Sequence, residues 1–354
     1  MAEVPKHLCL LGDATSPHIQ RWAAEMRARG YRVSLVTARP APVEGVEQKV
    51  LAPVRRSTDW LLRAGQARRY VQALAPDIVH AHYTTSYGYV GARCGRHPLV
   101  MTAWGSDLLV TPHQSALMRW LTGWTLRRAD LITGDSQSLL DAARSYGPAC
   151  PVQEIHWGVD LARFAPAPWA GKTGLQIVSL RSWEPNYNID TIVEAVATLA
   201  ARQPEAGVQL HLLGGGSMEA ALRALVAARG LQQRVLFHGR LDDAGMARVL
   251  AQCKLSVSVP TSDATSVSVL ESMACGLTVV ASDLDANRAW LDASVLVPPR
   301  DAAALARCLE ALVTDDARMQ RHGQENVRRI ARDGDRAVQM DTMDRLYRER
   351  MGTL

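Results

Sequence analysis

Short runs of Leu, Ile and Val alternate with longer segments of helical period, and the whole alternation occurs twice along the chain. HLCLLG (7–12) predicts a strand, PHIQRWAAEMRARG a helix closed by Gly30, and YRVSLVTA (31–38) a second strand. The order returns at DIVHAHY (77–83), PLVMTAW (98–104) and ADLITGDS (129–136). Continuously apolar strands separated by helices predict a parallel sheet covered on both faces. A Pro/Gly-rich stretch, APAPWAGKTG (165–174), interrupts the pattern, and LQIVSLR (175–181) starts it again. Strands VQLHLLGGG, RVLFHGR, KLSVSVP and LTVVASD then alternate with four helices. The expectation is two doubly wound α/β domains, 1–165 and 166–334, whose functional loops at the carboxyl ends of the strands border a shared cleft. A charged helix over 335–354 has no following strand.

The 354 residues suit two domains, and 47% apolar with 21% charged residues excludes a wholly disordered chain. No apolar run approaches the roughly 18–20 residues that span a bilayer, and the apolar stretch near the N-terminus is too short for a secretory signal. The cysteines at 9, 94, 150, 253, 275 and 308 stand far apart, without a CxxC or a Cys/His cluster. They predict buried thiols in a reducing compartment, with neither disulfides nor structural zinc. The expected location is cytoplasmic.

Charge is uneven. Residues 1–165 hold 19 Lys and Arg against 13 Asp and Glu, or +6, which leaves −1 for the rest of a chain whose net charge is +5. RRSTDWLLRAGQARRYVQAL (55–74) and MRWLTGWTLRR (118–128) mix Arg with Trp and Leu. Such helices can lie on an anionic membrane at its inner face; the same pattern also fits a solvated helix face. No nucleic-acid-binding motif accompanies the charge.

The most informative segment is PTSDATSVSVLESMACG (260–276), where small and hydroxyl residues lead from a strand end into a helix. The free N–H groups of a helix N-terminus suit a phosphate, here around Ser266, Val267 and Ser268. Asp263 and Glu271 place a carboxylate on either side, fit to grip sugar and ribose hydroxyls; helix capping by the serines is the plainer reading. In LRSWEPNYN (180–188), Arg181 can bond diphosphate oxygens or pair with Glu184. LLGGGS (212–217) is a glycine turn that spells neither GxGxxG nor a P-loop. In the first domain, GDATSPH (12–18) fills the first strand-to-helix turn, with His18 as a candidate base or donor, and WGSD (104–107) ends another strand at Asp107. His80 and His82 are taken to lie on opposite faces of their strand, which would keep them from acting as paired metal ligands. HExxH, GxSxG and acidic Mg²⁺ clusters are absent from the sequence, so no metal or other cofactor is expected.

In order along the chain, the first loop, DIVHAHY, WGSD, ADLITGDS, HWGVDLARFAP (156–166), LRSWEPNYNID, LLGGGS, VLFHGR and TSDATSVSVLESMACGL resemble the retaining GT-B glycosyltransferases of family 4, glycosyl transferases group 1. That resemblance covers nearly the whole chain and implies two Rossmann-like domains, with the final helix, 335–354, crossing back to complete the first. It implies that Glu271 holds the ribose of a nucleotide sugar, Asp263 the sugar ring, and the intervening amides with Arg181 the diphosphate. The donor-binding set it implies also includes Asn186, Tyr187, Gly214, Gly215, Arg240, Ser262 and Thr265; the acceptor side would be Gly12, Ser16, His18, His82, Trp104 and Asp107. The sequence departs from the family where a diphosphate-binding lysine is common and Asn186, Tyr187 and Asn188 stand instead. Ser16-Pro17-His18 replaces a glycine pair, Trp104 a histidine, and Trp157 an asparagine.

The implied activity is transfer of a sugar, with retention, from a nucleotide diphosphate donor, with UDP the expected base. The expected acceptor is a lipid-linked saccharide of bacterial surface polysaccharide or lipopolysaccharide synthesis, or alternatively a soluble small molecule. A nicotinamide-dependent oxidoreductase would need a GxGxxG loop and a ribose-binding acid about 20 residues on; neither glycine-containing loop supplies them. A hinged sugar-binding protein would share the two lobes but is normally exported.

Overall fold

The computed structural model describes residues 5–353 as two compact units. One runs to Trp157 and takes in the chain from Val338 onward; the other is Gly158–Ala337. Each is built on one all-parallel sheet with flanking helices.

The first sheet contains β1 (His7–Leu11), β2 (Arg32–Thr37), β3 (Glu47–Val50), β4 (Ile78–His82), β5 (Leu99–Thr102), β6 (Leu131–Gly134) and β7 (Val152–Glu154), in the order β3-β2-β1-β4-β5-β6-β7. All five residues of β1 are buried, as expected for a central strand covered on both faces. Helix Pro17–Ala28 starts where Pro is most readily accommodated, after the Ser16 cap, and buries Ile19, Trp22, Ala23 and Met26 on one stripe.

The second sheet contains β8 (Leu175–Ser179), β9 (Val208–Leu213), β10 (Val235–Gly239), β11 (Leu255–Ser258), β12 (Thr278–Ser282) and β13 (Leu296–Val297), in the order β10-β9-β8-β11-β12-β13. Helix Ile189–Arg202 covers it with Ile189, Ile192, Val193, Ala195, Val196 and Leu199. Both orders reverse direction beside the first strand of the series, between β1 and β4 and between β8 and β11. Such a switch point opens a crevice at the carboxyl ends of the strands.

The units part later at the C-terminal side, and earlier at the N-terminal side, than the 165/166 and 334/335 boundaries read from the sequence. Val159 and Phe164 belong to the core of the second unit, and Val159 forms a parallel bridge with Asp335. Helix Arg336–Met351 packs Met340, Met343, Leu346 and Tyr347 into the core of the first unit. The Tyr347 hydroxyl accepts from Trp22 Nε1 at 3.0 Å and meets His80 Nδ1 at 2.5 Å.

Three strands escape the sequence pattern: β3, a polar EQKV edge strand, the three-residue β7, and β13, whose two residues are too few to show a period. The backbones of β3 and β7 pair with neighbours although their side chains carry little apolar signal. All six cysteines are free, and burial raises the thiols of Cys9, Cys94, Cys253 and Cys275 to about 12. Among the described residues no helix is long and apolar enough to cross a membrane.

Candidate functional site

The switch point of the second sheet gathers the loops after β8, β9 and β11. Arg181 leaves the end of β8 and lies across the first turn of helix Val267–Ala274. Its Nη1 donates to Ser268 Oγ at 3.0 Å and to Ser266 Oγ, and its Nη2 donates to Asp263 Oδ2 at 2.6 Å. The guanidinium stacks on Tyr187, 4.4 Å from the ring centroid. Arg181 is therefore paired with Asp263 rather than with Glu184, which instead accepts from Ser217 N at 2.9 Å and Ser217 Oγ at 2.5 Å.

Ser266 occupies the N-cap position with extended backbone, yet its side chain makes no capping bond. The Ser266 hydroxyl is turned toward Arg181 and lies 2.9 Å from Ser268 Oγ. The plain capping reading is thus replaced by a hydroxyl-guanidinium cluster over the amino end of the helix. Thr265 and Ser266 are buried and Val267 and Ser268 partly so. One turn into the helix Glu271 is only 3% exposed, a deep position for a carboxylate. Burial pushes the Asp263 carboxyl up, and the adjacent Arg181 charge opposes the shift.

Asn186 serves the loop itself. Its Nδ2 donates to Ser262 O at 2.9 Å and its Oδ1 accepts from Ser262 N at 3.2 Å, so these two expected donor contacts hold each other. Asn188, at φ 50°, adds a bond from Nδ2 to Val259 O at 2.8 Å. Together they brace the segment that carries Asp263.

The glycine turn closes this side of the site. Gly214 N donates to Gly239 O at 2.8 Å and Trp183 N to Gly215 O at 3.1 Å. A Cβ on Gly214 would stand 2.3 Å from the Arg181 carbonyl oxygen, and one on Gly216 would stand 2.4 Å from the Trp183 carbonyl oxygen. The turn therefore has to be glycine because two loops approach backbone to backbone. The exposed Arg240 side chain passes beside Gly215.

The first unit assembles a different set of residues at the carboxyl ends of β1, β4 and β5. Ser16 caps helix Pro17–Ala28 by accepting from His18 N at 3.3 Å. The His18 ring stands 5.6 Å from Trp104 and 4.5 Å from Trp157, and the two indoles cross edge to face at 5.2 Å. Trp157 was legible only as a departure from the family pattern; its packing on His18 makes it part of this wall.

Three expectations on this side change. Asp107 is fully buried and accepts four bonds: Thr84 N at 2.6 Å and Thr84 Oγ1 at 2.9 Å on one oxygen, Trp104 N and Gly105 N at 2.9 Å on the other. Burial pushes its carboxyl up while those four donors oppose the rise. Asp107 knits two loops together and is not displayed to an acceptor. Gly12 is likewise a packing position, since a Cβ there would meet Ile19 Cδ1 at 2.6 Å.

The third change concerns the histidine pair. His80 and His82 share one face, as residues two apart on a strand do, with ring centroids 4.0 Å apart. His80 is nevertheless committed to Tyr347 and, at 2.6 Å, to Thr102 Oγ1. His82 is 1% exposed beneath Trp22, Trp104 and Trp157, and neither ring nitrogen has a hydrogen-bond partner among the described residues. Burial, with His18 nearby, lowers its pKa to about 3. Among the described residues no cluster of three His, Cys, Asp or Glu could hold a metal ion.

The two all-parallel sheets, each with its own switch point, match the GT-B fold of the solved structures on which the chain superposes. Residues 7–138 match the family described as "Glycosyl transferase 4-like" and residues 174–315 the one described as "Glycosyl transferases group 1", and the chain belongs to this glycosyltransferase family. It is similar to the phosphatidyl-myo-inositol mannosyltransferase of Mycobacterium leprae, 29% identical over 341 residues that cover 88% of this chain and 87% of the relative. Sucrose-phosphate synthase from Thermosynechococcus elongatus superposes with a TM-score of 0.82 at 18% identity, covering 99% of this chain and all of that one. Anabaena HepE in complex with UDP gives a TM-score of 0.81 at 17% identity, over 97% of this chain and 100% of the other.

Proposed function

We propose that this glycosyltransferase moves a sugar from a nucleoside diphosphate donor, with UDP as the base, to a lipid-linked acceptor of bacterial surface saccharide synthesis, with retention. The observation that carries the reading is Arg181 held over the amino end of helix Val267–Ala274, with Asp263 beside it and Glu271 one turn beyond. A diphosphate there meets a guanidinium, two hydroxyls and unpaired backbone N–H groups, so charge developing on the leaving group is stabilised in place. Glu271 is assigned to the ribose and Asp263 to the sugar ring. Tyr187 steadies the guanidinium, and Arg240 adds a cation beside the glycine turn.

In the transfer the bond from the anomeric carbon to the diphosphate oxygen breaks as the acceptor oxygen bonds to that carbon from the same side. The acceptor proton passes to the leaving phosphate oxygen. This balance requires neither a protein nucleophile nor a metal. A UDP complex of one structural neighbour and the phosphatidyl-myo-inositol acceptor in a relative's name support the donor class and a lipid acceptor. The basic, Trp-rich first unit supports contact with the inner face of a membrane.

Slow hydrolysis of a panel of UDP- and GDP-sugars tests the donor without any acceptor. Turnover of at least one sugar nucleotide, lost in Arg181→Ala, is expected. Calorimetric binding of NAD with no binding of UDP or GDP would overturn the proposal in favour of an oxidoreductase.

A further inference from the structure

We propose that a cavity in the second unit, between helix Asp316–Arg329 and the segment that enters β13, binds a phosphorylated sugar or polyol. The cavity encloses about 500 Å³ and lies wholly within that unit, and none of its lining residues belongs to the Arg181 cluster. That volume suits a small organic ligand. Val279, Trp290, Leu291 and Val295 make a buried apolar floor, and charged side chains make the rim.

The floor is preformed. Asn326, itself on the wall, donates from Nδ2 to Leu277 O at 2.8 Å, and Thr278 Oγ1 donates to Met319 O at 2.7 Å. A Cβ on Gly323 would stand 2.2 Å from Gly276 O. The helix is thus clamped against the entry to β12, and the wall it presents keeps its shape without a ligand.

Charge on the rim selects the occupant. Arg328, Arg329 and Arg332 all line the cavity within little more than one helical turn. Arg332 is taken by Asp333, with Nε to Oδ1 at 2.9 Å and Nη2 to Oδ2 at 2.7 Å. Arg328 and Arg329 form no ion pair among the described residues, although Glu325 stands on the same wall one turn before them. Like charges at this spacing repel. Two guanidinium groups without a carboxylate partner therefore favour an anion, and their forked donors match phosphate oxygens.

The rest of the rim suits hydroxyl groups. Glu325 is without an ion pair among the described residues, and Asp292 accepts from Ser294 N at 2.8 Å, a bond that helps hold its carboxyl below the usual range. His322 is half-buried, and that burial lowers its pKa, so a neutral ring can donate to or accept from a hydroxyl. Trp290 adds apolar surface for C–H groups. Cations for a phosphate, carboxylates for hydroxyls and an apolar floor together fit a polyol phosphate better than a bare anion.

Mannose 6-phosphate is the probe, titrated calorimetrically into the whole chain with UDP present. Saturable binding is expected, at least tenfold tighter than that of inorganic phosphate or of mannose. The same affinity within twofold is expected in Arg181→Ala, which separates the cavity from the diphosphate site. Arg328→Ala/Arg329→Ala should weaken binding at least tenfold while circular dichroism stays native. Glu325→Gln should weaken the sugar phosphate at least threefold and leave inorganic phosphate unchanged. Absent saturable binding, its loss in Arg181→Ala, equal binding by the double variant, or equal affinity for inorganic phosphate overturns the proposal.

Discussion

The Arg181 guanidinium and the Asp263 carboxylate meet at 2.6 Å between Nη2 and Oδ2, with the side chains only 10% and 22% exposed. The pair spans two loops that are 82 residues apart in the sequence. It joins the end of β8 to the entry of helix Val267–Ala274, and so places the cation and the carboxylate on the same few ångströms of surface. The Ser266 and Ser268 hydroxyls accept the other guanidinium bonds, which leaves the planar geometry of Arg181 as the organising element.

Arg181→Lys should behave almost as badly as Arg181→Ala, because an ammonium cannot reproduce a planar fork that serves Asp263 and the two serines together. A fall of about 10²-fold or more in donor hydrolysis is expected for both, the scale seen when a single transition-state donor is removed. Activity of the lysine variant within threefold of the unmodified chain would remove Arg181 from the chemistry.

Asp263→Asn and Glu271→Gln should separate into two phenotypes. The first is expected to raise KM for the sugar nucleotide about tenfold with little change in UDP affinity; the second is expected to weaken UDP itself by a similar factor. Calorimetry with UDP, set beside steady-state donor hydrolysis, distinguishes them. Identical effects of both variants on UDP would reverse the division of roles.

Gly214→Ala should destabilise the second unit by about 2 kcal/mol or more, since the residue has φ 151° and its new Cβ would collide with the Arg181 carbonyl oxygen. Urea unfolding measures the loss. Wild-type stability with wild-type donor turnover would show that the two loops can separate without consequence.

The first unit should lose stability in acid. Burial holds the His80 pKa well below its ordinary value and that of His82 at about 3, so both rings are neutral when folded. The unfolded chain takes up protons near the ordinary value of 6.5; the contribution of these rings is full above that pH and fades as pH falls toward 3. His82→Phe is expected to flatten the pH dependence of the urea midpoint across that window. Tyr347→Phe should cost about 1–3 kcal/mol at neutral pH by leaving the Trp22 and His80 nitrogens without their shared hydroxyl.

The alternation of apolar strands and helices was enough to place both sheets, because a doubly wound sheet buries its central strands on both faces and writes that burial as continuous Val, Leu and Ile. Edge strands such as EQKV carry no such mark. The helix entry at Ser266 was also readable, since small and hydroxyl residues before an apolar helix have a local cause. What the hydroxyls do was not: Ser266 could cap or face Arg181, and that choice depends on a partner 85 residues away. Asp107 was misplaced for the same reason, its four donors coming from loops that only tertiary folding brings together. The histidine pair was misjudged on strand periodicity itself, for residues two apart share a side.

Met340, Met343, Leu346 and Tyr347 fill the core of the first unit with residues made almost two hundred positions after Trp157. During synthesis, a nascent chain that already carries all seven strands of that unit still has an open apolar seam along β1 and helix Pro17–Ala28. The unit can close only when position 347 has left the ribosome. Fragments that stop at residue 157 should therefore aggregate or recruit chaperones, whereas the intervening unit, continuous in sequence, has everything it needs to fold on its own schedule.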